Sequence, residues 1–174
     1  MKKTLVKGLF ILSMSFFIFS CSEDDDESID PNSINLSLNA TVSASSTFDG
    51  YSPDNVIDDD LNTTVGAEYS WSNNHSPSND ITLPQWIALD FGSDKTFSRV
   101  ELYSSEDFII QDYQLQYWDG NDWQLIREIT GNTSLVRSHT FDEVTSSKVR
   151  VLGTRGPSNQ TIYVRINELQ VWGN

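Results

Sequence analysis

From residue 34 onward, apolar residues alternate with polar ones in short runs, and no stretch sustains the 3.6-residue period of an amphipathic helix. Trp86 to Phe91 sends Ile87, Leu89 and Phe91 to one face and stops at Gly92, and Phe97 to Tyr103 buries Val100 and Leu102. Tyr113, Leu115 and Tyr117 oppose Gln114, Gln116 and Trp118; Asp119-Gly120 supplies a positive-φ hairpin turn, and Trp123 to Ile129 returns. Ala40 to Ser46, Leu135 to Phe141, Lys148 to Leu152 and Ile162 to Trp172 complete about eight strands. Short strands separated by Gly and Asn turns predict an all-β, antiparallel sandwich or barrel.

Two departures from this pattern carry chemistry. Ser52 and Pro53 cap and start a short helical turn that leads into Asn55-Val56-Ile57-Asp58-Asp59-Asp60-Leu61-Asn62-Thr63. Three carboxylates, a carboxamide and a hydroxyl in nine residues are either a loop around a hard cation or a solvated acidic turn. In the last strand the apolar parity switches near Asn167-Glu168, which a β-bulge would produce. A buried Glu168 needs a partner: a cation held by the acidic loop, or Arg150 or Arg165. Residues 64–83 are polar and long for a loop.

The first residues stand apart. Lys2, Lys3 and Lys7 precede an apolar run from Leu9 to Phe19 that is too short for a comfortable membrane span, and Cys21, the single cysteine, follows. The arrangement resembles a bacterial lipoprotein signal, with residues 1–20 removed and Cys21 acylated. Residues 21–33 include Glu23-Asp24-Asp25-Asp26-Glu27, an acidic tether that resembles an export signal to the outer face of the outer membrane. The expected address is an outer membrane lipoprotein exposed on the cell surface, touching the membrane only through its lipid. Residues 34–174 remain for one domain.

Charge narrows the partners. The 174-residue chain carries 11 Lys and Arg against 25 Asp and Glu, for a net charge of −14. That disfavours nucleic acid and anionic lipid, whose phosphates are met by Lys and Arg. Neutral ligands and cations remain.

Taken together, the acidic loop, Pro84-Gln85-Trp86-Ile87-Ala88-Leu89-Asp90-Phe91-Gly92, the Tyr113–Gly120 hairpin with Trp123, and Arg165-Ile166-Asn167-Glu168-Leu169-Gln170-Val171-Trp172-Gly173 resemble a discoidin domain. This coagulation-factor C-type family includes bacterial carbohydrate-binding modules of galactose-binding-like fold. The resemblance covers nearly all of residues 36–173 and implies a jelly-roll β-sandwich of about eight strands. It also implies a structural calcium ion, bound by the side chains of Asp58, Asp60, Thr63 and Glu168 with carbonyls near Asn55. Asp59 stands where the family usually has Gly.

By loop position in this family, the glycan-binding candidates are Trp71, His75, Glu106, Phe108, Arg155 and Asn159. An aromatic face for a pyranose ring and a few polar groups for its hydroxyls is how small-ligand sites are generally built. Trp71 either offers that face or caps the core. Phe108-Ile109-Ile110 is either core cover or an exposed apolar tip. The Arg and Asn that galactose-binding relatives carry after the strand at Val100–Tyr103 are missing from residues 104–110, so galactose specificity does not carry over. No nucleophile elbow, phosphate-cradling glycine loop or His-Glu-x-x-His spacing occurs. The expectation is therefore a non-catalytic module that binds neutral glycans. The alternative is a protein-binding or adhesion module, or a subunit of an envelope complex, on the same fold.

Overall fold

The computed structural model describes residues 34–174. The signal peptide, the Cys21 lipidation site and the acidic tether read from the sequence lie outside the described residues. Nine strands follow in order: β1 (Ile34–Asn35), β2 (Thr41–Ala44), β3 (Trp71–Ser72), β4 (Gln85–Tyr103), β5 (Asp112–Trp118), β6 (Trp123–Ile129), β7 (Val136–Arg155), β8 (Arg165–Ile166) and β9 (Glu168–Gly173). The pairings among these strands are antiparallel. Among the described residues no helix is long and apolar enough to cross a membrane.

Two long strands build both layers of the sandwich. The first half of β4 pairs with β2 and with the second half of β7, and β5 and β6 extend that layer. The register then shifts between Asp90 and Lys95, and the second half of β4 pairs with β9 and the first half of β7. The sequence reading cut β4 and β7 into two strands each, ending one at Gly92 and another at Phe141. The backbone instead bends through Gly92-Ser93-Asp94 and Asp142-Glu143 without leaving the ladder, carrying the chain from one layer to the other.

The core is what the alternation assigned. Ile87, Leu89, Tyr113, Leu115, Val149 and Val151 from one layer meet Val100, Leu102, Leu169 and Val171 from the other, all essentially buried. One polar link crosses it: the Tyr113 hydroxyl lies 2.8 Å from Nε2 of buried His139. Burial pushes the Tyr113 hydroxyl up to about 12. Burial, helped by the cations of Arg137 and Arg127, pulls His139 down to about 4, so the imidazole is neutral. On the outer face of the first layer the Arg150 guanidinium lies 4.3 Å from the Trp123 ring centre and donates through Nε to Gln116 Oε1 at 2.6 Å.

The parity switch is real. Asn167 separates β8 from β9, and its N–H donates to the Tyr103 carbonyl at 2.8 Å. Its buried side chain then ties three segments together. Nδ2 donates to the carbonyls of Asn62 and Thr64 at 2.7 and 2.9 Å, and Oδ1 accepts the Ser105 hydroxyl at 2.6 Å.

Candidate functional site

At one end of the sandwich the loops rest on a floor of satisfied buried polar groups. Buried Asn73 follows β3; its Oδ1 accepts the Val164 N–H at 2.6 Å and its Nδ2 donates to the Ile162 carbonyl. Gln85 Oε1 accepts the hydroxyls of Ser45 and Ser46, each at 2.6 Å. Residues 156–163 close on themselves through Gly156, whose N–H donates to the Thr161 carbonyl at 2.9 Å. A Cβ at Gly156 would lie 1.9 Å from the Tyr163 carbonyl oxygen, so no side chain fits there.

Trp71 belongs to this floor, and its reading as a sugar platform is corrected. The residue is 0% exposed, and its indole N–H donates to the Ser46 carbonyl at 3.1 Å and to the Thr47 hydroxyl at 3.2 Å. A ring with neither face open cannot stack on a ligand. It instead holds the loop at residues 45–51 in place.

The aromatic face forms above it from other residues. Tyr163 lies edge-on to Phe48, with ring centres 5.9 Å apart, and to His75 at 6.2 Å; Phe48 in turn meets Tyr51 at 5.9 Å. The Arg165 guanidinium sits 4.7 Å from the Phe108 ring centre and 5.7 Å from that of Tyr163, bracing both rings through cation–π contact. Its Nε and Nη1 are buried without an acceptor, while Nη2 reaches solvent. His75 is similar: Nδ1 is buried without a partner, and Nε2 faces out with no hydrogen bond to a described residue. Phe48 and Ile162, each 39% exposed, give the rim an apolar border.

Of the residues read from sequence, the fold brings His75 and Phe108 together. Glu106 is exposed, with its backbone N–H on the Thr63 carbonyl at 2.7 Å, and no hydrogen bond ties its side chain to the ring cluster. Arg155, at the end of β7, and Asn159, on the loop that leads to Tyr163, are exposed, and no hydrogen bond or ring contact ties either side chain to the cluster. Tyr163, Arg165, Phe48 and Tyr51 escaped the sequence reading. The strand reading of residues 162–172 had absorbed Tyr163 and Arg165.

The acidic loop sits on the other side of Asn167. Asp58, Asp60 and Asn62 each accept, through Oδ1, the backbone N–H two residues on, all at 3.0 Å, which makes a run of three linked turns. Asp59, in the position where the family has Gly, has φ 63°, the left-handed conformation that Asp adopts more readily than most residues. Glu168 beside it is 0% exposed, and neither carboxylate oxygen makes a hydrogen bond of good geometry. Burial, with the charges of Asp58 and Asp59 adding, pushes its carboxyl up to about 8; the Gln170 amide and Asp59 N–H offset this only in part. Neither arginine offered as an ordinary partner serves: Arg150 stacks on Trp123 and Arg165 on Phe108.

This set fits a calcium ion in one respect. An orphaned buried carboxylate facing two more acids is an unmet demand for positive charge. Among the described residues no three carboxylate or imidazole groups converge on a metal position. Such an ion would therefore draw on Glu168, the free Oδ2 atoms of Asp58 and Asp60, Thr63 and backbone carbonyls, a mixture that calcium accepts. The Asn55 Nδ2 donates to the Ala67 and Ser70 carbonyls, which fixes the side chain and leaves its oxygens as the atoms that could contribute.

A groove of about 520 Å³ lies away from both sites, between the edge of β6 and the first half of β7. Arg127 Nη2 spans it to the Thr140 carbonyl at 2.9 Å, and Leu125 and Phe141 line it.

The family model for the F5/8 type C domain matches residues 41–169. No curated protein matches the sequence. Among solved structures, a point mutant of chitosan-binding module 1 from a Paenibacillus sp. IK-5 chitosanase/glucanase is 25% identical, covering 80% of this chain and 98% of that one with a TM-score of 0.66. Chitosan-binding module 2 of the same enzyme, solved with chitotriose, is 26% identical over 80% and 100%, with a TM-score of 0.65. The family 32 carbohydrate-binding module of Clostridium perfringens NanJ, solved with galactose, shares the fold at 20% identity over 79% and 96%, with a TM-score of 0.64. The layered antiparallel architecture agrees with all three as a jelly-roll β-sandwich, and the match spans most of the chain: the protein belongs to the F5/8 type C domain family.

Proposed function

We propose that this protein is a non-catalytic glycan-binding module, tethered to the bacterial outer membrane through Cys21 and displayed at the cell surface, with a structural calcium ion at Glu168. The observation that carries the glycan reading is the set of rings at Phe108 and Tyr163, braced by Arg165 and flanked by His75 Nε2 and Arg165 Nη2. Planar apolar faces meet the C–H face of a pyranose, and the flanking donors meet its hydroxyls. The chitosan-binding and galactose-binding modules of like fold support the same reading.

A glycan array probed with the full chain tests it. Binding to a restricted set of glycans is expected, lost in Tyr163→Ala at unchanged melting temperature. Silence on every glycan would sink the proposal. A second reading, a protein-binding or adhesion module, draws on the groove at β6 and β7, where Leu125 is 53% exposed. Array silence together with capture of a partner through Leu125 would favour it.

A further inference from the structure

The two loops that frame the aromatic cluster have a second face. The chain turns at Asp107, where φ is 63°, and Phe108 packs on Arg165 while its neighbours Asp107 and Ile109 line a separate groove of about 230 Å³. The same division recurs opposite: Tyr163 belongs to the cluster, while Pro157 and Ser158 of the same loop wall the groove. The aromatic cluster and the groove thus draw on the same two loops.

We infer that this groove is a second saccharide subsite, taking the sugar unit linked to the one held at Tyr163 and Phe108. The inference rests on the glycan reading proposed above. Three features carry it. The groove is firmly based: buried Asn132 donates to the Ile110 and Ser134 carbonyls and accepts from Arg137 Nη1 at 3.0 Å, while the Gln111 N–H is fixed on the Arg155 carbonyl. Its lining is that of a sugar site: Ile109 and Pro157 are apolar, and Asp107, Gln111, Thr133 and Ser158 have side chains that make no hydrogen bond to any described residue. Such unspent donors and acceptors beside apolar surface match a hydroxyl-covered ring. The sign of charge selects further. Asp107 lines the groove and exposed Glu106 precedes it in the chain, so the subsite favours a neutral or amine-bearing hexose over a uronic or sialic acid.

The test is calorimetric titration of the full chain with glucosamine, chitobiose and chitotriose, and with galactose and lactose. In at least one series the disaccharide is expected to bind roughly tenfold tighter than the monosaccharide. Ile109→Ala combined with Ser158→Ala should erase that gain, leaving monosaccharide affinity and melting temperature unchanged. Equal affinity for mono- and disaccharide in the unaltered protein overturns the inference alone, as does a gain that survives the double variant. Failure to bind any of the five sugars overturns the inference, while the glycan reading falls only if the array is silent as well.

Discussion

Arg165 and Glu168 stand three residues apart, flank the break at Asn167, and each carries buried polar atoms without a hydrogen-bond partner. They do not pair with each other. The guanidinium has two aromatic faces against it and one nitrogen in solvent, so its charge is partly met and partly on offer. The carboxylate has both oxygens buried beside two further acids. On the function proposed above, one residue would meet a ligand that comes and goes and the other would hold a resident cation. A single bulge sends these neighbouring charges to different surroundings.

The sharpest way to break this contrast is to remove the cation. Chelation should cost about 3–5 kcal/mol, the scale of an uncompensated buried charge, and lower the melting temperature by roughly 10 °C. Glu168→Gln should make melting indifferent to chelator. The pH dependence has a definite sign. In chelator the folded carboxyl titrates near 8 against 4.5 for the free group, so the folded state holds the extra proton between them. Stability should therefore fall as pH rises from about 4.5 to about 8. Saturating calcium, which binds the ionised form, should flatten that fall. Identical melting curves with and without chelator would end the calcium reading.

His139 is the control, a buried titratable group that has its partner. Its folded value is about 4 against 6.5 for the free imidazole, so here the unfolded state holds the extra proton. Stability should be level above about 6.5 and decline as pH falls toward 4, by an amount on the order of 3 kcal/mol. The two limbs run in opposite directions and belong to different residues. His139→Gln should remove the acid limb only; loss of both limbs would mean the two ends of the core are coupled.

Next is Arg165, whose replacement by Ala should weaken glycan binding about a hundredfold by releasing both rings and removing a charged donor. Arg165→Lys should not restore it, because an ammonium lacks the flat face that braces Phe108 and Tyr163. Chelator sensitivity should persist in both variants. A variant that lost it would show that Asn167 fails to insulate the two sites.

Much of the fold is legible in the sequence. Strict alternation gave the layers, and the displaced parity at Asn167-Glu168 marked the bulge, because a period of two leaves no other way to move Leu169 and Val171 inward. The aromatic site was only half readable. Trp71 in a polar loop looks the same whether its ring lies over or under the loop. What decides it is the Ser46 carbonyl reaching Nε1 across 25 positions, a tertiary fact. The buried position makes Trp71→Ala a stability variant, costing about 3–5 kcal/mol. Tyr163 and Arg165 were hidden because Arg165 is a strand residue and Tyr163 continues its alternation, while Gly156, which folds residues 156–163 into a closed turn, reveals its role only through the backbone packed against it.

The smallest expected effect falls on His75, at the edge of the cluster. Its ring packs edge-on to Tyr163 and contributes one outward nitrogen, so it should act as a single neutral hydrogen-bonding group. A bond of that kind is worth about 1 kcal/mol, so His75→Ala should weaken glycan binding roughly fivefold. His75→Phe should keep the packing on Tyr163 and lose the same fivefold, which separates the hydrogen bond from the ring contact. Calorimetry on the two variants gives the answer. If His75→Phe binds as well as the unaltered protein, the outward nitrogen takes no part, and Arg165 Nη2 is left as the cluster's polar contact with the sugar.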